Sequence, residues 1–414
     1  MPQGHHVTRR ARHGRTLLKL SLKSGLVELK EFVSAAAAVL AMIVLVSATA
    51  GAQEAGFKTE ARYAILIDSR SGKIFFEKDS NELMAPASMS KIMTMLMVFE
   101  RLRNKRIKLS DEFTISENAW RRGGASSGGS TMYAILNSRV KLEDLMRGVI
   151  VQSANDACIA IAEGIAGSED AFAGLMTKRA RELGLAKSTF KNATGLPDPE
   201  HRMTAFELAT LARYLIEVFP EYYKLYSERE FTWNKIRQFN RNPLLANYPG
   251  ADGIKTGFIR EAGYGLVGSA VRSGRRLIVV VNGLRSKSAR GREAQKLLDW
   301  GFRKFQQINL YERDAQVSQA RVWGGNRSWV SLVAKEPVNI LLAPEERATA
   351  RAEIVYKGPL RAPVRKGEQV GFIRLSVDGK TVSQQPLYTG GNIEVSNEMW
   401  RQALDSVTFM LFGG

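Results

Sequence analysis

The sequence predicts an α/β sandwich followed by a smaller β-rich domain, and three observations carry that expectation. The chain has 414 residues, more than one domain usually holds. Strand signals flank a long stretch of helical periodicity in the first part. From about Asn309 to Asn392, short strand signals broken by Gly and Pro replace that pattern. Apolar residues make up 44% and charged residues 24%, ordinary usage for a folded soluble protein, which argues against global disorder or multiple membrane spans.

The N-terminus reads as a targeting segment. Arg9, Arg10, Arg12, Arg15, Lys19 and Lys23 precede an apolar run from Phe32 to Ala48, and Ala50-Gly51-Ala52 supplies the small residues of a cleavage site. Residues 1–52 are therefore expected to be a signal peptide, with export as the consequence. A retained N-terminal anchor is the alternative, although the Ala-rich run is marginal for spanning roughly 30 Å of hydrocarbon. This segment carries seven basic and two acidic residues, which leaves +14 of the net +19 on the rest. Such an excess suits anionic headgroups or an acidic wall polymer, or is simply solvated.

After the leader, Tyr63 to Ile67 and Ile74 to Phe76 flank Ser71-Gly72-Lys73, a β-hairpin signal. Pro86 then precedes Ser88 to Arg103, where Ile92, Met95, Leu96 and Phe99 recur at helical spacing and Ser88 stands at the N-terminus. Helical patterns follow at Leu142 to Val151, Asn155 to Ala166, Asp170 to Leu183 and Thr204 to Val218, with a Gly/Ser-rich loop at Gly123 to Ser130. Strands return at Gly253 to Phe258, Tyr264 to Val271 and Arg276 to Asn282, the last two joined through Ser273-Gly274. A helix from Arg290 to Phe305 closes this part. In the β-rich part, Trp329 to Val333, Ala352 to Tyr356 and Val370 to Leu375 read as strands. Residues 396–412 place Trp400, Ala403, Leu404, Val407 and Leu411 on one helical face, an amphipathic end suited to a membrane interface or to packing on the protein itself.

Histidine and cysteine counts narrow the chemistry. Beyond the leader only His201 and Cys158 remain, too few for a His/Cys zinc site, so no metal or other cofactor is expected. His201 follows Pro197-Asp198-Pro199-Glu200 in an evident loop, a poor setting for a Ser-His-Asp triad. A lone Cys158 forms no internal disulfide and is expected to be buried packing.

Lysine is the better candidate for a base. On a helix, Ser88 and Lys91 in Ser88-Met89-Ser90-Lys91 share a face, so the amine can reach the hydroxyl. A lysine of ordinary pKa is only about 0.04% neutral at pH 7, so the role requires burial or a second cation. Alone, this tetrad also occurs as a capping serine beside a solvated lysine. Two further motifs stand in the order this chemistry demands: Ser153-Ala154-Asn155 at a helix junction and Lys255-Thr256-Gly257 in a strand. Ala154 departs from the acidic residue usual at that place. In this reading Ser88 is the nucleophile, Lys91 its base and Ser153 a proton relay. Asn155 holds the substrate amide and Lys91, and Lys255 is the second cation that keeps Lys91 neutral. Gly257 admits a ligand close to the strand, and backbone N–H groups at Ser88 and Phe258 form an oxyanion hole.

Together with Ala85-Pro86-Ala87 and Asp252-Gly253-Ile254 around these motifs, the chain resembles the serine-type D-alanyl-D-alanine carboxypeptidases, the low-molecular-mass penicillin-binding proteins. Asn192-Ala193-Thr194-Gly195-Leu196 and Lys296 to Phe302 extend the resemblance, which covers roughly residues 58–412. It implies a β-lactamase/DD-peptidase-like catalytic domain at 58–306, an antiparallel sheet flanked by helices plus an α-helical lobe. A β-rich domain at 309–392 and the C-terminal amphipathic helix follow. The implied activity is removal of the terminal D-Ala from peptidoglycan stem peptides through an acyl-enzyme on Ser88. β-Lactams would acylate the same residue, in a periplasmic enzyme that touches the inner membrane through its C-terminal helix. Thr256 and Arg290, the latter preferred to Arg292, are the implied clamp for the substrate carboxylate. A class A β-lactamase would add a Glu-x-x-Leu-Asn element, which does not occur between Ser153 and Lys255. A non-catalytic peptidoglycan-binding scaffold is disfavoured by the intact motifs, and a nucleic-acid partner by the export signal.

Overall fold

The computed structural model describes residues 57–397 and the backbone of one short strand, Arg15–Leu18. The rest of the expected signal peptide and the amphipathic helix lie outside the described residues. Two compact units divide between Arg303 and Lys304.

In the first unit, five strands form one antiparallel sheet: β1 (Tyr63–Asp68), β2 (Ile74–Lys78), β3 (Ala251–Ile259), β4 (Gly263–Arg272) and β5 (Arg275–Leu284), in the order β2-β1-β5-β4-β3. Both expected hairpins are present. Ser273 and Gly274 have φ of 48° and 73°, the two left-handed positions of a tight turn whose twist matches the strands it joins. Alternation along β1 divides the sheet's faces. Ile65 and Ile67 enter the main core with Ile278 and Val280, while Leu66 points to the opposite face. That second face meets the helix Lys287–Lys304, whose Gly301 sits so close that a Cβ would lie 2.5 Å from Leu66 and 3.0 Å from Leu277.

The main core is built around two helices that are buried on nearly every side, α1 (Lys91–Arg103) and α2 (Asn155–Ala166). The helices α3 (Glu169–Glu182) and α4 (Ala205–Val218) begin at Ser168 and Thr204, whose side chains accept the N–H groups of Ala171 and Glu207. Three local expectations change. Ser88 lies in a tight 3₁₀ turn, Ala87–Ser90, ahead of α1. The expected helix Leu142 to Val151 stops as an α-helix at Arg147 and widens into a π-type turn, Gly148–Gln152, which delivers Ser153 in a left-handed conformation. The last helix, α5 (Lys287–Lys304), starts three residues before Arg290 because the Ser286 hydroxyl caps it by accepting the Ala289 N–H at 3.1 Å.

A further hairpin, Glu230–Trp233 with Ile236–Phe239, escaped the sequence reading. Its turn is Asn234-Lys235, both at positive φ, and lacks the glycine that usually marks such a turn.

The second unit is β-rich, as expected. Its largest sheet runs Arg15–Leu18, Arg351–Tyr356, Gln369–Val377, Lys380–Thr389, Trp329–Val333, Gln316–Trp323 and Leu360–Arg361. Period-two burial puts Ala352 and Ile354, then Ile373, Leu375 and Val377, into a core of its own.

Candidate active site

Three segments distant in sequence converge on one cleft of about 900 Å³. The Ala87–Ser90 turn brings Ser88, the junction before α2 brings Ser153 and Asn155, and the edge strand β3 brings Lys255, Thr256, Gly257 and Phe258. Ser88 is half-buried and reachable from the cleft.

Lys91 is completely buried beneath it. Its Nζ donates to Ser88 Oγ at 2.9 Å, to Asn155 Oδ1 at 2.8 Å and to the Thr194 carbonyl at 2.5 Å. Two of these acceptors are fixed by local structure. Asn155 opens α2, with its own N–H bonded to the Ser130 carbonyl at 2.7 Å. Thr194 lies in a tight loop closed by the Asn192 side chain, which accepts the Thr194 and Gly195 N–H groups. Gly195 follows at φ 75°, where a Cβ would collide with the Ala87 carbonyl. The lysine is thus aimed at the serine by packing on all sides.

Burial lowers the Lys91 pKa to about 8, and the nearby Arg241 adds to the effect. Lys255 is also buried, and its pKa falls well below the usual lysine value, first through burial and then through the charge of Lys91. Lys91 and Lys255 thus repel each other as buried cations, and Arg241 is a further cation that lowers both. Arg241 went unnoticed because it stands in a short loop, Asn240-Arg241-Asn242, without a motif. It lines the cleft and donates through Nη1 to Ser130 Oγ at 2.6 Å.

Ser153 has φ 65°, a conformation costly for a residue with a Cβ and common where a side chain must be aimed precisely. The loop opposite it is held by Asp156, whose carboxylate accepts from Thr131 Oγ1 at 2.6 Å and from the N–H groups of Met132 and Ala134 at 3.1 Å. Across the cleft, a Cβ on Gly257 would lie 2.8 Å from the Pro86 carbonyl, so only glycine lets β3 approach the Ser88 turn this closely.

Arg290 is buried in the first turn of α5, not solvated in a loop. Its Nη1 donates to the Gly257 carbonyl at 3.3 Å, and its Nε has no partner among the described residues. Burial lowers its pKa to about 10. The opposite rim is the Glu230–Phe239 hairpin, which contributes Ile236, Arg237 and Phe239.

His201 is buried away from the cleft lining, and burial lowers its pKa to about 4, so it is neutral at pH 7. Cys158 is buried and unpaired, with its thiol pushed up to about 12 by burial. Neither is placed to act on a ligand in the cleft. A serine hydroxyl joined to a buried amine of lowered pKa can attack a carbonyl and pass its proton to that amine. The fold and cleft define a serine hydrolase.

Comparison with known proteins agrees. The D-alanyl-D-alanine carboxypeptidase family pattern matches residues 48–286, and that of the penicillin-binding protein 5 C-terminal domain matches residues 305–395. D-alanyl-D-alanine carboxypeptidase DacC of Escherichia coli (strain K12) is 42% identical over 338 residues, covering 81% of this chain and 84% of that one. Penicillin-binding protein 5 from Haemophilus influenzae has a similar structure, with a TM-score of 0.71 at 36% identity, covering 82% of this chain and 98% of that one. Penicillin-binding protein D2 from Listeria monocytogenes, in an ampicillin-bound form, has a TM-score of 0.54 at 28% identity and covers 60% of this chain and 99% of that one. The chain belongs to the serine-type D-alanyl-D-alanine carboxypeptidase family.

Proposed function

We propose that this protein removes the terminal D-Ala from peptidoglycan pentapeptide stems through an acyl-enzyme on Ser88, and that β-lactams are trapped at the same residue. The observation that carries the proposal is the 2.9 Å hydrogen bond between Ser88 Oγ and the buried Lys91 Nζ.

In this reading neutral Lys91 takes the Ser88 proton as Oγ adds to the carbonyl of the penultimate D-Ala. The Ser88 and Phe258 N–H groups hold the oxyanion, an arrangement in which one donor is usually worth about a hundredfold or more in rate. Asn155 orients the scissile amide, and Ser153 relays the proton held by Lys91 to the departing D-Ala nitrogen, which leaves Lys91 neutral again. Lys255, Thr256 and Arg290 receive the terminal carboxylate beside the cationic Arg241. Water then enters, Lys91 accepts its proton, and attack on the ester frees the shortened stem as Lys91 returns that proton to Ser88 Oγ. Such a protein acts outside the cytoplasm in cell-wall remodelling, with residues 396–412 as its contact with the inner membrane. Among the described residues no helix is long and apolar enough to cross a membrane.

The test is mass analysis of products from a pentapeptide stem, paired with fluorescent penicillin labelling of wild type and Ser88→Ala. Release of one D-Ala, together with a label lost in the variant, is expected. Rapid penicillin turnover with an inert peptide would refute the proposal.

A further inference from the structure

A second groove of about 690 Å³ adjoins the catalytic cleft, and the two share Phe258 and Tyr264 as a common wall. These rings stack with centroids 4.2 Å apart, and Phe258 is 50% exposed. Beyond them the groove is rimmed by Arg62, Arg202, Arg260 and Arg285, with Glu261 as its one acidic lining residue. None of these four guanidiniums makes an ion pair among the described residues. Many other arginines of this unit do, including Arg179, Arg213 and Arg276. Four like charges converging on a concave surface repel one another, and an anionic ligand removes that cost.

The polarity of the edge strand says which part of a substrate reaches them. β3 runs from Lys255 and Thr256 past Phe258 to Ile259, and Arg260 to Ala262 follow in its turn into β4. A peptide that adds to this edge in antiparallel fashion, with its terminal carboxylate at Lys255 and Thr256, lays its upstream residues beside Phe258 and Ile259. Continued extension carries it to Arg260 at the groove. A peptidoglycan stem bears a free α-carboxylate on its γ-linked D-glutamate, two residues before the acylating D-Ala, roughly 7–10 Å upstream in an extended chain.

We propose that the groove rimmed by Arg62, Arg202, Arg260 and Arg285 is a subsite for the carboxylates of the acyl-donor stem peptide. It selects stems whose D-glutamate is free over stems in which it is amidated. The inference rests on the carboxypeptidase reading and adds the part of the substrate that sets preference. Guanidinium forks pair with carboxylates bidentately and offer nothing comparable to a neutral carboxamide.

The experiment measures kcat/KM for two pentapeptides that differ only in free or amidated D-glutamate, and for a diacylated Lys-D-Ala-D-Ala tripeptide. Wild type is expected to favour the free acid by about tenfold, on the scale of one charge-assisted contact. In the double variant Arg202→Gln/Arg260→Gln that ratio falls towards one, and in Arg202→Lys/Arg260→Lys it is largely restored, which separates charge from folding. Equal rates on both peptides in wild type would overturn the subsite, as would equal loss on both in the Gln variant with no rescue by Lys. Preference retained in the Gln variant while binding to anionic phospholipid vesicles disappears would assign the groove to a membrane surface and overturn it too. Failure of the underlying reading looks different: the tripeptide would be inert and Ser88 unlabelled by penicillin, and the subsite would fall with it.

Discussion

A base that must be neutral and a site that must bind a carboxylate place opposite demands on the same few ångströms. Lys91, Lys255, Arg241 and Arg290 are all drawn into this region, and burial opposes the charged form of each. Arginine stays protonated and lysine yields, so the arginines set the field and a lysine supplies the base. With Lys91 near 8, its protonated form dominates below that pH. Acylation by a penicillin should therefore climb about tenfold per pH unit up to about 8 and flatten above it. Arg241→Gln removes a charge that lowers Lys91, so the Lys91 pKa rises and the limb moves to higher pH. A shift of half a unit would be read as about a threefold loss at pH 7. Stopped-flow acylation from pH 5 to 10 measures both; a limb that does not move in the variant would remove Arg241 from this role.

At the scale of the element, the site depends on how closely a turn and a strand approach. Gly257 is where β3 meets the Ala87–Ser90 turn, and an added Cβ would press on the Pro86 carbonyl, on Met89 at 3.1 Å and on Ala87 at 3.2 Å. A backbone atom cannot rotate away as a flexible side chain can. Gly257→Ala should therefore push β3 from Ser88 and slow acylation about a hundredfold, the usual effect of losing one oxyanion donor. The accompanying destabilisation, about 1–3 kcal/mol, should be visible in thermal unfolding. A variant that acylates at the wild-type rate would show that the approach is not needed. The same scale explains what the sequence disclosed. The Ser88, Ser153 and Lys255 motifs were legible because each sits at the end of a strongly patterned helix or in a strand, where side-chain direction follows from position. Arg241 and the Glu230–Phe239 hairpin were not, because their placement depends on non-local contacts such as the Asn234 Nδ2 donation to the Tyr133 carbonyl at 2.9 Å. Arg290 was found by likeness alone; its burial follows from a helix that starts three residues earlier than its periodicity indicated.

For the whole molecule, the question is whether the chemistry needs both units. Every residue lining the catalytic cleft and the arginine groove falls between Arg62 and Arg290, within the first unit. That unit closes its own core, with α5 laid across the sheet at Gly301 and Arg275 donating to the carbonyls of Gly301 and Phe302. The β-rich unit has a separate apolar core. The Listeria protein, seen with ampicillin bound, matches only 60% of this chain at nearly its own full length, consistent with a catalytic part that stands alone. A chain ending at Lys304 should therefore remain folded, take up penicillin at Ser88 and cleave a short D-Ala-D-Ala peptide within a few-fold of the full-length rate. Its activity on intact sacculi should fall much further if the β-rich unit and residues 396–412 serve to place the enzyme at its substrate. Equal losses on both substrates in a chain that still unfolds cooperatively would mean instead that the second unit supports the cleft itself.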